Sequence, residues 1–256
     1  MPEKIIYEQP LNERIRTFLR LEFLFARLDY ALKHNDELSN RNAIDTLLSL
    51  LSVFERSDLK QEIAKELERL VSTLSALENT PGVDKRALDS LLDELDQILD
   101  SLHLSKSAIG QTLRENDFLY SIRQRASIPG GSCDFDLPAY HFWLRHTPYE
   151  TRKQQLLNWL KQFASMRAAI EISLRLIRGS TGFIPATADA GFFQQNLDSS
   201  QCNQLIRVQV MNDTSYYPEI SGGKHRFTVR LMHFDINQRA KQAAENIDFS
   251  LSICTM

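Results

Sequence analysis

Glycine and proline are scarce in this 256-residue chain, 9 and 8 in number, which excludes a collagen-like or low-complexity polymer. Cysteine is scarcer still. Cys133, Cys202 and Cys254 are odd in number, far apart and form no CxxC pair, so neither a disulfide framework nor a structural zinc site is expected, and a reducing compartment is. No apolar run approaches the roughly 20 residues a membrane-crossing helix needs. The opening Met1-Pro2-Glu3-Lys4-Ile5-Ile6-Tyr7 lacks the basic-then-apolar layout of a secretory signal, so a cytoplasmic location is expected. Neither sign of charge dominates, with 30 Lys and Arg against 33 Asp and Glu, so the molecule as a whole is no general polyanion binder.

Motifs of chemistry are missing too. There is no GxGxxG, Walker-type loop, HExxH or GxSxG. His141 and His146 are five apart, not the four that would stack two metal ligands on one helix face. Asp134 and Asp136 flank Phe135 just ahead of a helix, where capping is their expected job. Neither an enzyme nor a cofactor or metal centre is expected.

What is present is mostly helix. Leu11, Ile15, Phe18, Leu19, Phe25 and Leu28 set a helical period from Pro10 to about Lys33, and a second helix is predicted over 40–54. Ser57 or Asp58 can cap a third, whose stripe runs from Leu59 to Leu77. Asn79-Thr80-Pro81-Gly82 breaks it, and Leu88 to Leu102 repeats the stripe, predicting an antiparallel hairpin. Five basic against eleven acidic side chains make residues 57–105 acidic; eleven against six make 106–178 basic. Further helices are predicted over 107–125 and 137–145. Another should begin at a Thr147 cap, with Pro148 in its first position and Glu150 three residues on, and continue to Arg178.

After Gly182 the period becomes two. Ile206, Val208 and Val210; Phe227, Val229 and Leu231; and Ile247, Phe249, Leu251 and Ile253 alternate with polar residues. Three strands in a small antiparallel sheet, covered by helices, are predicted. Residues 216–220 should hairpin through Ser221-Gly222-Gly223 onto the strand that follows. The fold class is α+β: a helical domain over 10–180 and a β domain over 181–256, with residues 4–9 adding a strand.

Arginine placement is the strongest functional signal. Arg16, Arg20 and Arg27 fall within about 40° of one another on the first helix, whose remaining surface is largely apolar. That pattern predicts a helix buried nearly all round with an arginine stripe lining a groove. Pairing with acids of the acidic hairpin is the competing reading. Arg114, Arg123 and Arg125 form a second cluster, and Arg207, Lys224, Arg226 and Arg230 a third. Guanidinium forks suit carboxylates, since one fork makes two charge-assisted hydrogen bonds. The same arginines on phosphate would make a nucleic-acid-binding module, against which the acidic hairpin and net charge of −3 count. A hydrolase would need a site built from His141, Asp136 and Cys133.

The segment Tyr7-Glu8-Gln9-Pro10-Leu11-Asn12-Glu13, running into Arg16-Thr17-Phe18-Leu19-Arg20-Leu21-Glu22-Phe23-Leu24, resembles the opening of the ZapD family of Z-ring-associated bacterial cell-division proteins. So do Gly110 with Leu113-Arg114-Glu115, Arg123-Gln124-Arg125, Ser127-Ile128-Pro129-Gly130-Gly131, Phe135-Asp136-Leu137-Pro138, His141 with Trp143-Leu144, and Tyr217-Pro218 with Ile220-Ser221-Gly222. The resemblance implies a cytoplasmic homodimer without enzymatic activity, concentrated at midcell, that binds the C-terminal tail of FtsZ and bundles its filaments for septum assembly. It also implies a basic tail pocket. Carried onto this chain, that pocket matches Arg16, Arg20, Arg114 and His141, with Arg56, Lys224, Arg226 and Arg230 as further basic positions.

Overall fold

The structure is a computed structural model and describes residues 4–55, 58–104 and 109–256. It is α+β and divides into two compact units, residues 19–172 and residues 1–18 with 173–256; the divisions fall inside two helices.

The helical unit is built from the stripes seen in the sequence. Helix α1 (Glu13–Ala31) enters it through Leu21, Phe25 and Leu28, all at most 3% exposed. Helix α2 (Glu37–Val53) starts three residues before its predicted position. The cause is Asp36, whose carboxylate accepts the Ser39 amide at 2.8 Å and so satisfies an otherwise orphan first-turn donor. Helices α3 (Leu59–Ser75) and α4 (Lys85–Leu104) pack through their apolar stripes as the expected hairpin: Ile63, Leu67, Leu70 and Leu74 face Leu88, Leu95 and Leu102. Asp58 does not cap α3, because its own backbone is already helical; Ser57 lies outside the described residues. The α4 start is fixed instead by Asp84, whose Oδ1 accepts the amides of Arg86 and Ala87.

The predicted helix over 107–125 is two. Short α5 (Gln111–Arg114) ends where Asn116 turns extended and caps α6 (Asp117–Ala126) through the Leu119 amide. Gly110 stands at φ +72° before α5, and a Cβ there would lie 2.6 Å from Leu51 Cδ2, so only glycine lets this turn pack against α2. Helix α7 (Pro138–His146) places Tyr140, Trp143 and Leu144 inside. Thr147 does not cap the next helix; it closes α7. Its carbonyl and that of Leu144 are taken by the guanidinium of Arg152, which is 8% exposed and also donates to Asn40 Oδ1 on α2 at 3.3 Å. Helix α8 (Tyr149–Leu160) and α9 (Ala164–Gly179) are separated by a 3₁₀ turn over Lys161–Phe163, not continuous as predicted. The tighter turn puts Phe163, 1% exposed, against Phe54, with ring centroids 5.2 Å apart.

The β unit corrects a larger expectation. It holds two sheets rather than one. The first has strand order β1-β4-β8-β2, formed by Lys4–Pro10, Asn203–Met211, Ile247–Thr255 and Ile184–Ala188. The second has order β3-β6-β5, formed by Phe192–Asn196, Arg226–His233 and Tyr216–Gly222, with the two-residue β7 (Lys241–Gln242) beside β6. Every pairing is antiparallel. The core cluster draws Ile206, Val208, Phe249 and Leu251 from the first sheet and Phe227, Val229 and Leu231 from the second. Each sheet therefore buries the other's apolar side, while the opposite side of the first sheet, with Leu205, Ser252 and Cys254 at most 1% exposed, is covered as well. The N-terminal strand and the β5–β6 hairpin form where the sequence placed them.

Candidate functional site

Helix α2 is the spine on which the basic side chains of the helical unit are arranged. Asn42, Asp45, Ser49 and Ser52, three and four residues apart, give it one polar side. At its first turns Arg41 donates through Nη1 to the Ser132 carbonyl at 2.9 Å, and through Nη2 to Glu37 at 3.0 Å and Asp134 at 2.8 Å. Asp134 Oδ1 lies 3.0 Å from His141 Nδ1, and the second Glu37 oxygen takes Arg145 at 2.9 Å. Burial alone would push the Asp134 carboxyl up; the Arg41 hydrogen bond and the neighbouring His141 hold it below the ordinary carboxylate range. The result is an alternating ladder, Arg145, Glu37, Arg41, Asp134, His141, that pins α7 and the loop before it to α2.

Midway along, Arg27 Nε donates to Asn42 Oδ1 at 2.6 Å. Only residues 32–36 join α1 to α2, and the Arg27–Asn42 bond brings that arginine to the polar side of α2. Arg20, two turns before Arg27 on the arginine stripe of α1, is exposed and makes no hydrogen bond or ion pair with the described residues. The expectation that α1 is buried nearly all round fails: Phe23 and Tyr30 are 66% and 62% exposed, and they share the stripe with the arginines. Nor do those arginines use the acidic hairpin, since Arg16 pairs with Glu13 on its own helix at 3.0 Å.

Past the end of α2, Arg123 on α6 pairs with Glu55, holding that carboxyl below its usual range. Arg114 Nη2 donates to the Phe54 carbonyl at 2.9 Å and the Ile109 carbonyl at 2.8 Å. Phe54 is the C-cap of α2, where a cation also meets the negative end of the helix dipole. Between these groups lies an open cavity of about 720 Å³, lined by Asp45, Leu48, Ser49 and Ser52 from α2, Arg123 and Ala126 from α6, and the loop 127–132. That loop folds tightly onto α6: a Cβ on Gly131 would stand 2.4 Å from the Arg125 carbonyl.

The expected site residues are thus distributed as follows. Arg114 and His141 stand at the C-terminal and N-terminal ends of α2, and Arg20 is exposed on α1. Arg114 and His141 already have partners in the fold. Asp134 and Asp136 do not cap α7, whose N-cap is Leu137; Asp134 serves the ladder, and Asp136 accepts from Cys133 Sγ at 3.4 Å. In the β unit, Lys224, Arg226 and Arg230 are exposed, opposite the buried Phe227, Val229 and Leu231, as the alternation predicted. Arg207 is no part of that outer surface. It is half-buried, with Nε 3.0 Å from Glu8, which Arg178 also grips. Arg56 lies outside the described residues. Arg41 was missed because its Glu37 partner, four residues earlier, lies before the predicted helix start. Among the described residues, no group of three His, Cys, Asp or Glu could hold a metal ion, and no helix is long and apolar enough to cross a membrane.

Comparison with known proteins agrees with this architecture. The family model described as "ZapD: Cell division protein" matches residues 19–230. A Cell division protein ZapD of Methylococcus capsulatus is 39% identical over 256 residues, covering 100% of both chains. That of Cupriavidus pinatubonensis is 41% identical over 253 residues, 98% of this chain and 99% of its own. That of Coxiella burnetii is 40% identical over 252 residues, 98% and 97% of the two chains. The two-unit α+β fold is therefore that of a cell division protein. The chain belongs to the ZapD family.

Proposed function

We propose that the protein binds the C-terminal tail of FtsZ through the arginine-lined surface along α2 and, as a cytoplasmic homodimer, ties FtsZ filaments together at midcell during Z-ring assembly. One observation carries the reading: Arg20 is exposed with no partner among the described residues, and Arg123 lines an open cavity of about 720 Å³ along the polar side of α2. From Arg41 to Phe54 this side is about 20 Å long, the reach of roughly six residues of extended peptide. The ladder and the carbonyl bonds of Arg114 fix the surrounding backbone, which lowers the ordering cost of binding.

The tail's carboxylates meet guanidinium forks, and its apolar residues meet Phe23, Tyr30 and Ile128, all exposed. A symmetric dimer presents two such surfaces, and a polymer offers many tails, so weak single contacts add up by avidity. Exposed ion pairs contribute only about 0–1 kcal/mol each, so bundling falls as salt shortens the screening length below about 8 Å. No catalytic step is assigned: Cys133 turns to Asp136 rather than to His141, and so no nucleophile–base pair supports the hydrolase reading.

The test is co-sedimentation of polymerised FtsZ with wild type, Arg20→Ala and Arg123→Ala at two salt concentrations, with FtsZ lacking its tail as control. Loss of pelleting with the arginine variants and with tail-less FtsZ is expected. Full pelleting by both variants, or equally tight binding to random duplex DNA, would remove the reading.

A further inference from the structure

The surface along α2 is not uniformly basic. Asp45 stands in the middle of its polar side and lines the cavity. Its carboxylate makes no hydrogen bond or ion pair with the described residues; only its backbone carbonyl is used, accepting the Ser49 hydroxyl at 2.8 Å. Two cations stand near enough to be felt, Arg27 and Arg41, but both heads are committed elsewhere. Arg27 goes to Asn42, and Arg41 goes to Glu37, Asp134 and the Ser132 carbonyl. Glu37, Glu55 and Asp134, also along α2, each have an arginine in contact, and Asp36 accepts from Ser39. Asp45 is exposed at the cavity wall; partial desolvation pushes its carboxyl up, against the nearby charges of Arg27 and Arg41, which act to lower it.

An acid so placed repels a purely acidic ligand and rewards one that carries a cation at that point. We infer that Asp45 is a specificity-determining residue of the α2 surface: it receives a lysine or arginine side chain of the bound tail, while Arg20 and Arg123 take that tail's carboxylates. The ligand class is then a mixed-charge peptide, not an acidic one. Ser49 and Ser52, one on each side of the next turn, supply hydroxyl acceptors for the remaining N–H groups of the incoming cation. Repulsion by Asp45 also discriminates against phosphate backbones and uniformly acidic tails.

This inference rests on the proposed tail binding, and the experiment separates the two. A labelled synthetic peptide of the FtsZ C-terminal tail is titrated with the full-length protein by fluorescence anisotropy, alongside peptides in which each lysine or arginine is replaced in turn by glutamine. Asp45→Asn is expected to weaken the parent peptide about fivefold, the upper end for a partly exposed ion pair. Against one of the glutamine peptides that loss should vanish, because the partner is already gone. Asp45→Lys should lose more, and regain affinity for the peptide carrying glutamate at that same position. If Arg20→Ala and Arg123→Ala weaken binding while Asp45→Asn leaves it unchanged or tightens it, the tail reading stands and the role of Asp45 falls. If neither arginine variant weakens binding, both fall together.

Discussion

The basic side chains around α2 and those on the outer side of β6 look alike in sequence and are treated oppositely by the fold. Arg41, Arg114 and Arg152 are each held by backbone carbonyls, Arg41 and Arg152 by side chains as well. Lys224, Arg226 and Arg230 project into solvent, the two arginines from a strand whose other side is buried. An arginine tied to carbonyls shapes the surface on which binding occurs. An arginine in solvent is free to bind but must first be ordered, losing as much as about 2 kcal/mol of rotamer freedom. Substitution should therefore act on stability in the first group and on binding alone in the second.

The largest effect expected is from Arg152→Ala. Removing a buried guanidinium leaves the Leu144 and Thr147 carbonyls and Asn40 without their donor, and a loss of about 3 kcal/mol should appear in the urea midpoint. Arg114→Ala comes next, at about 2 kcal/mol, since two carbonyls lose a charged donor. Any loss of FtsZ pelleting by that variant must be read beside its melting temperature. Asp36→Ala removes the α2 cap and should lower the urea midpoint by less than Arg114→Ala does, with reduced helix signal in circular dichroism.

The ladder gives a pH effect whose sign is fixed. The folded carboxyl of Asp134 titrates below its unfolded value, so its contribution is present above about pH 4 and is lost as pH falls through the lowered value. Wild type should therefore lose more stability between pH 6 and pH 3, in urea titrations, than Asp134→Asn, which has no such proton to take up. The smallest effect belongs to the other region. Arg226→Ala and Arg230→Ala should stay within about 0.5 kcal/mol of wild type. A larger loss from either would break the contrast.

Element types were legible in the sequence because apolar spacing decides them, and the two-residue alternation placed Phe227, Val229 and Leu231 inside and Arg226 and Arg230 outside without ambiguity. Helix ends were less legible. Thr147 has the residue type of a cap but ends α7 instead: its amide donates to the Trp143 carbonyl, and the next helix has Pro148 as its N-cap. The second sheet was missed because Phe192–Asn196 shows little alternation. Exposed at four of its five positions, it is a strand because β6 supplies its partner. Arg20 and His141 were visible as residue types. No local pattern shows that Arg20 has no partner among the described residues; His141 faces Asp134 only seven positions earlier, but Asp134 is itself held by Arg41, 93 positions away.

Strand β1 has one more consequence. Tyr7 finds its neighbour, Val208, only after about 200 further residues, and β4 in turn leans on β8 at the far end of the chain. On the ribosome, at about 5–20 residues per second, β1 waits tens of seconds for its mate while the intervening helices are already able to close. Until then its backbone edge is unpaired, so β1 is among the last elements to be finished, and the interval before it zips is when a nascent chain is most open to capture by a chaperone or by its neighbours.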